Sequence, residues 1–260
     1  MKDPRTTPIR NGAEVSGGTA HSIARGRAAL RSAPTHDAVQ DDEVLFGEPV
    51  TVFESKDGWS WCQSGVDRYV GYVLDIALCE PVAVDHRVTA LSTPMLSGPD
   101  IKRASRDFLP FNARVKVLAL SNGYAAIENG GYVFAGHLAP VEHSAPDWVA
   151  TAERFVGTPY VWGGKTHAGM DCSGLVQIAL AGSGIAAPRD TDMQEGEVGQ
   201  DCSSSPRQRG DIVFWPGHVG IMLDAERLLH ANSFHMQVEI EPLAEALARI
   251  VDKVTAIKRV

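Results

Sequence analysis

The sequence predicts an α+β chain in which two small all-β barrels precede a mixed domain. Three observations carry this. Two segments repeat one order of elements at a spacing of about 60 residues: an alternating strand, an S-K-D-G or S-N-G turn, a second strand and a Gly-Tyr-Val strand. After APVEHSAP the composition changes, and helical spacing appears in DWVATAERFVG. Then DCSGLVQIALAGSG reads as a capped apolar helix that opens at Asp171 and stops at Gly182.

In chain order, residues 1–20 are polar and Gly-rich and are expected to be poorly ordered. Residues 21–82 form the first barrel. There VLFGEPVTVFESKDGWSWCQ holds a hairpin turning at Lys56-Asp57-Gly58, and RYVGYVLDIAL adds a strand with a glycine where a small barrel must bend. Residues 83–140 form the second barrel from RVTALSTPML, PFNARVKVLALSNGYAAIE and GGYVFAGHLAP. Residues 141–260 form the mixed domain.

Composition excludes several functions. The chain has 260 residues, 44% hydrophobic and 22% charged, which gives room for one to three domains. A net charge of −8 offers no basic face, so neither nucleic acid nor a membrane surface is expected as a partner. No apolar run approaches the roughly 20 residues a bilayer needs, and the N-terminus lacks the apolar region of a secretory signal, which points to the cytoplasm. The cysteines at 62, 79, 172 and 202 show no metal-ligand spacing and are expected as thiols. His21, His36, His86, His137 and His143 show none either, so no metal and no cofactor is expected. The oligomeric state is left open.

The chemistry concentrates in the mixed domain. Asp171 is a favoured N-cap, so Cys172 falls in the first helical turn, where free N–H groups and the helix dipole favour a thiolate. A lone cysteine at a helix start is also commonly inert, and both readings stand at this point. A thiolate nucleophile needs a base in reach. RGDIVFWPGHVGIMLD supplies His218 at the start of a strand, and after the turn DAER the chain returns as LLHANSFHMQVEI. An antiparallel hairpin there pairs residues whose numbers sum to about 448, which puts His218 opposite His230 to within a residue, close enough to hold its ring in one tautomer. Cysteine, histidine and polar orienter then follow triad logic, although one histidine on a strand is commonly a satisfied core residue. Cys202 repeats the letters DCS, but no apolar helix follows, so it reads as an exposed loop thiol. His235 is expected on the opposite strand face from His230, and His167 in a solvated loop.

The three motifs TPYVWGGKTHAGMDCSGL, RGDIVFWPGHVGIML and LLHANSF, in that order, resemble the NlpC-type family of bacterial cell-wall cysteine peptidases, over roughly 150 to 260. The resemblance implies a compact papain-like α+β fold, with Cys172 as nucleophile, His218 as general base and His230 as third polar residue. It also implies that the Cys172 backbone N–H stabilises the oxyanion. Two SH3-like barrels ahead of such a domain are similar to those of cytoplasmic peptidases that trim recycled murein peptides. These cut the γ-D-glutamyl bond to meso-diaminopimelate or lysine in free peptides beginning with an unblocked L-Ala. In that group the first barrel leans over the cleft and helps recognise the amine, whose burial requires an anionic or multiply accepting partner. By position the candidates are Asp190 and Thr191 in PRDTDMQ, with Glu48 in LFGEPV and Tyr69 in RYVGYV from the first barrel. Tyr160 and Trp162 are expected to line the cleft, and Asp171 and Ser173, flanking the cysteine, count among the substrate contacts. The expected partner is therefore a murein peptide, L-Ala-γ-D-Glu-diamino acid. Two other readings remain at the level of sequence. A wall-lytic endopeptidase acting on polymer calls for an export signal. A non-catalytic wall-peptide binding protein need not keep Cys172, His218 and His230 together.

Overall fold

The computed structural model describes residues 17–260. For residues 1–16, the expectation of a poorly ordered N-terminus lies outside the described residues. Thr19 and Ala20 belong to a strand, paired with Val52 and Thr51, because TAHSI alternates and sends Ile23 into a barrel core. The chain divides into two compact units, the second beginning at Ser144.

In the first unit, β1 (Thr19–Ile23), β2 (Arg27–Arg31), β3 (Gln40–Leu45), β4 (Pro49–Lys56), β5 (Trp59–Ser64), β6 (Val70–Leu74) and β7 (Leu78–Cys79) form a seven-stranded sheet, ordered β3-β2-β6-β5-β4-β1-β7. Two further sheets follow, made by β8 (His86–Val88), β9 (Ser92–Leu96), β10 (Ser105–Pro110), β11 (Arg114–Val115), β12 (Val117–Ser121), β13 (Tyr124–Ile127), β14 (Gly131–Phe134) and β15 (Leu138–Pro140). The β4–β5 hairpin turns on Asp57-Gly58 and the β12–β13 hairpin on Asn122-Gly123, with positive φ at all four residues. Two such residues make the type I′ turn whose twist suits paired strands. A 3₁₀ turn closes each barrel, Asp75–Ala77 and Ala135–His137.

The reason for Gly71 differs from a bend: a Cβ there would lie 2.8 Å from Leu30 Cγ and 2.9 Å from Arg31 O, so glycine lets β2 and β6 approach. The two barrels share a single unit. Phe46, in the turn just after β3, packs in the second core with Val88, Leu109, Val115 and Val133, and its carbonyl accepts from Arg114 N at 2.8 Å. Gly26 N donates to Asp107 Oδ2, also at 2.8 Å. Glu48 and Tyr69 are both buried in this unit. Glu48 Oε2 accepts from Leu45 N at 2.8 Å, and Tyr69 packs in the first core with Ile23, Leu30 and Val73.

The second unit holds α1 (Trp148–Glu153), the short ladder β16 (Lys165–Thr166) and β17 (Gly169–Met170), then α2 (Cys172–Gly182) and α3 (Thr191–Glu197). A six-stranded antiparallel sheet follows, ordered β18-β23-β19-β20-β21-β22, from β18 (Gln200–Asp201), β19 (Asp211–Trp215), β20 (His218–Met222), β21 (Arg227–Asn232), β22 (Gln237–Pro242) and β23 (Ala256–Arg259). Helix α4 (Leu243–Arg249) lies between its last two strands in sequence. Every residue of β19 is buried, as a central strand requires. Helix α2, apolar on nearly all sides, packs on β20 and β21, while Val213, Trp215, Met222 and Leu228 meet Leu243 and Ala246 of α4. Cys202 belongs to this latter core and is 9% exposed, so the expected loop thiol is a buried one: it sits where the chain leaves β18 and turns inward.

Candidate active site

The site starts from the cap of α2. Asp171 Oδ1 accepts from Gly174 N at 2.8 Å, and Oδ2 accepts from Gly163 N at 2.8 Å. Arg189 fills the remaining positions, with Nη1 donating to Oδ1 at 2.9 Å and Nη2 to Oδ2 at 2.7 Å. Its Nη1 also donates to Ser173 Oγ at 2.9 Å. Arg189 is 1% exposed, so this is a fully desolvated bidentate ion pair. The sequence counts Asp171 and Ser173 among the substrate contacts. The structure turns both side chains to Arg189 instead, and five protein donors, Ser173 Oγ at 3.4 Å among them, saturate the Asp171 carboxylate. Both residues therefore hold the turn that carries Cys172.

Cys172 stands in the first turn of α2 and is 6% exposed. Its Sγ lies 3.9 Å from Thr191 Oγ1 at the start of α3, and the backbone of Val219 in β20 hydrogen-bonds the sulfur. The helix N-terminus predicts a lowered thiol pKa. Here burial dominates and pushes the thiol up to about 11, with the Asp171 charge adding to the rise against Thr191, Val219 and Arg189. The resting nucleophile is a neutral thiol.

His218 opens β20 one residue before Val219. It follows Pro216-Gly217, a two-residue turn closed by the Trp215 and His218 pair. Burial and then the neighbouring His230 push its pKa down to about 3, so it is a neutral imidazole at neutral pH. His218 Nε2 lies 2.8 Å from His230 Nδ1. The register that brings them together differs by two from the one the sequence suggests. Strand β20 pairs with β21 as Ile221 with Leu229, a sum of 450, which sets Gly220 opposite His230. A Cβ on Gly220 would lie 3.2 Å from His230 Cβ and 2.8 Å from Leu228 Cδ1. Glycine thus leaves room for the two rings to meet diagonally, a separation that long cross-strand side chains span.

Two residues that sequence reasoning missed extend this array. His230 Nε2 lies 2.6 Å from Glu241 Oε1, and Arg249 at the end of α4 donates to both oxygens of Glu241, through Nη1 at 3.0 Å to Oε2. Burial lowers the pKa of His230, against a rise from Glu241. The only signal was the alternation Glu239-Ile240-Glu241, which puts both glutamates on one strand face. Arg189 was missed because a single arginine in a loop has no local signature.

The other candidates are distributed as follows. Asp190 is half-buried and caps α3, with its carbonyl accepting from Gln194 N at 2.9 Å. Tyr160 is half-buried, and burial together with the nearby Cys172 and Asp171 raises its phenol pKa, which places it within electrostatic reach of the nucleophile. Trp162 is 62% exposed and stands at the surface of the 159–164 loop. His235 lies past the end of β21, in the turn before β22, where its N–H donates to Asn232 Oδ1 at 2.8 Å. The strand-face expectation fails because the strand ends at Asn232. His167 is half-buried in the turn between β16 and β17. Among the described residues no group of three or more His, Cys, Asp or Glu could hold a metal ion, and no helix is long and apolar enough to cross a membrane.

Comparison with known proteins adds identity to this geometry. Residues 157–253 match the NlpC/P60 family, and residues 30–78 match the bacterial dipeptidyl-peptidase SH3 domain. The chain is similar to "Dipeptidyl-peptidase 6" of Lysinibacillus sphaericus, 27% identical over 84% of this chain and 89% of that protein. It is also similar to "Gamma-D-glutamyl-L-lysine dipeptidyl-peptidase" of Bacillus subtilis, 26% identical over 81% of this chain and 78% of that protein. A crystal structure of an NlpC/P60 family protein from Bacillus cereus has the same fold, with a TM-score of 0.79 and 20% identity over 93% of this chain and 99% of that one. The chain thus carries an NlpC/P60 cysteine-peptidase domain, preceded by a bacterial dipeptidyl-peptidase SH3 domain.

Proposed function

We propose that the protein hydrolyses the γ-D-glutamyl bond to meso-diaminopimelate or lysine in free murein peptides that begin with an unblocked L-Ala, in the cytoplasmic recycling of wall peptides. The observation that carries the chemistry is the contact of His218 Nε2 with His230 Nδ1 at 2.8 Å, His218 standing on the strand whose Val219 hydrogen-bonds the Cys172 sulfur. The γ-glutamyl substrate is supported by the names of the two relatives, which align with most of this chain and of their own length.

Cys172 Sγ attacks the γ-glutamyl carbonyl carbon while its proton passes to His218, so that a neutral pair becomes ionic only as the bond forms. The carbonyl oxygen takes the negative charge, opposite the backbone N–H of Cys172 at the α2 N-terminus. When the C–N bond breaks, His218 gives its proton to the leaving amine and an acyl thioester remains. Water, losing a proton to His218, then attacks the thioester; the released thiolate recovers that proton, leaving the acid and the free thiol. Asp190 is the acceptor proposed for the substrate ammonium, since it adjoins Thr191, which touches the sulfur. An unpaired buried ammonium is costly.

The test uses L-Ala-γ-D-Glu-meso-diaminopimelate, its lysine analogue, their N-acetylated forms and polymeric peptidoglycan. The expected result is release of the diamino acid from the free-amine peptides alone, and none with Cys172→Ala. Equal rates on acetylated peptide sink the end-recognition claim, release from polymer favours a wall-lytic enzyme, and undiminished activity of Cys172→Ala removes the nucleophile assignment. Asp190→Asn is expected to raise KM for the free-amine peptide roughly 10- to 100-fold.

A further inference from the structure

We propose that Glu241 is a positioning residue: acting through His230, it determines which ring nitrogen of His218 is left free to take the proton of Cys172. The proposal rests on the nucleophile and base assignments above and adds a group that they do not contain.

The argument follows the hydrogen bonds from the far end. Arg249 donates to both oxygens of Glu241, an ion pair that keeps the carboxylate ionised, and an ionised carboxylate can only accept. His230 Nε2, 2.6 Å from Glu241 Oε1, must therefore carry the ring hydrogen. His230 is fully buried and neutral at rest, so its Nδ1 holds a lone pair. That lone pair faces His218 Nε2 at 2.8 Å, and a hydrogen bond there requires the hydrogen on His218 Nε2. His218 Nδ1 is left bare, and it becomes the basic atom. One carboxylate thus fixes two tautomers in series.

The alternative shows why this matters. Two neutral imidazoles sharing one hydrogen bond can be protonated in either sense, and nothing within the pair chooses. With the hydrogen on His230 Nδ1, His218 would accept at Nε2 and carry its hydrogen on Nδ1, and could not then take the thiol proton at that atom. Orientation of a catalytic imidazole by a buried acceptor is worth orders of magnitude in rate. Glu239, the residue directly opposite His230, does not supply this acceptor, since its carboxylate receives Gln237 Nε2 at 2.7 Å and Ile240 N.

The test reads tautomers directly. In the full chain with 15N-labelled histidine, long-range nitrogen–proton spectra near pH 7 are expected to show His218 and His230 both carrying hydrogen on Nε2. In Glu241→Gln, the amide can donate as well as accept. We expect His218 to appear at least partly as the Nδ1–H form, with kcat reduced roughly 100-fold and KM within twofold, and Glu241→Asp to recover part of the rate. A wild-type spectrum with hydrogen on His218 Nδ1 overturns the proposal even if no variant folds. So does Glu241→Gln with both tautomers unchanged, whatever happens to its rate. Failure of the nucleophile assignment is separable, because an active Cys172→Ala enzyme is scored by peptide release while the histidine tautomers are read independently.

Discussion

At the scale of single residues, the resting charge of the site is set by burial. With the thiol at about 11 and His218 at about 3, the neutral pair dominates across the physiological range. Alkylation of Cys172 by iodoacetamide should then accelerate with pH toward about 11, whereas a preformed ion pair would give a plateau from acidic pH upward. The same shift bears on stability. An unfolded His218 titrates near 6.5 and the folded one near 3, so below 6.5 the unfolded chain binds a proton that the folded chain refuses. Stability should fall as pH drops through this window, seen as a melting temperature that declines by several degrees, and the decline should be smaller in His218→Gln. The cap at Asp171, its helix and the position of Cys172 were legible because all three are local. The raised thiol pKa was not, since it depends on burial that distant elements create and that outweighs the lowering by Thr191 and Val219. Arg189 and Glu241 were hidden for the same reason: each acts on a partner that only the fold brings near.

At the scale of elements, turns carried most of the legible information. Asp57-Gly58 and Asn122-Gly123 announce their hairpins because few residues accept positive φ. The β20–β21 hairpin was legible as a pairing but not in its register. Moving a turn's centre by one residue moves the pairing by two, and the contact survived because Gly220 leaves a gap that His218 spans diagonally. Gly220→Ala should accordingly lower kcat/KM by more than tenfold and cost about 1–3 kcal/mol in urea unfolding, since the neighbours displaced are Leu228 first and then His230. Asp171→Ala should act in the opposite proportion, costing about 3–5 kcal/mol in urea unfolding because it leaves the buried Arg189 without its counter-charge.

At the scale of the whole molecule, the repeat of barrel motifs was legible and the joining of the barrels was not. Alternation and turn residues report strands, but they say nothing about Phe46 leaving its own barrel for the next one's core. Phe46→Ala should cost about 3–5 kcal/mol and, in native-state amide exchange, should speed protons in both β4–β6 and β13–β14. Exchange confined to one barrel would show that the two open independently. The shared core also sets the grain at which this architecture can be recombined. A chimaera that exchanges the chain at residue 82 would strip Phe46 of its socket and set a foreign chain against Gly47, whose missing side chain makes room for the Arg114 carbonyl. The transferable cassette is the full span from Thr19 to Pro140, and any swap meant to alter one barrel has to carry its sibling along.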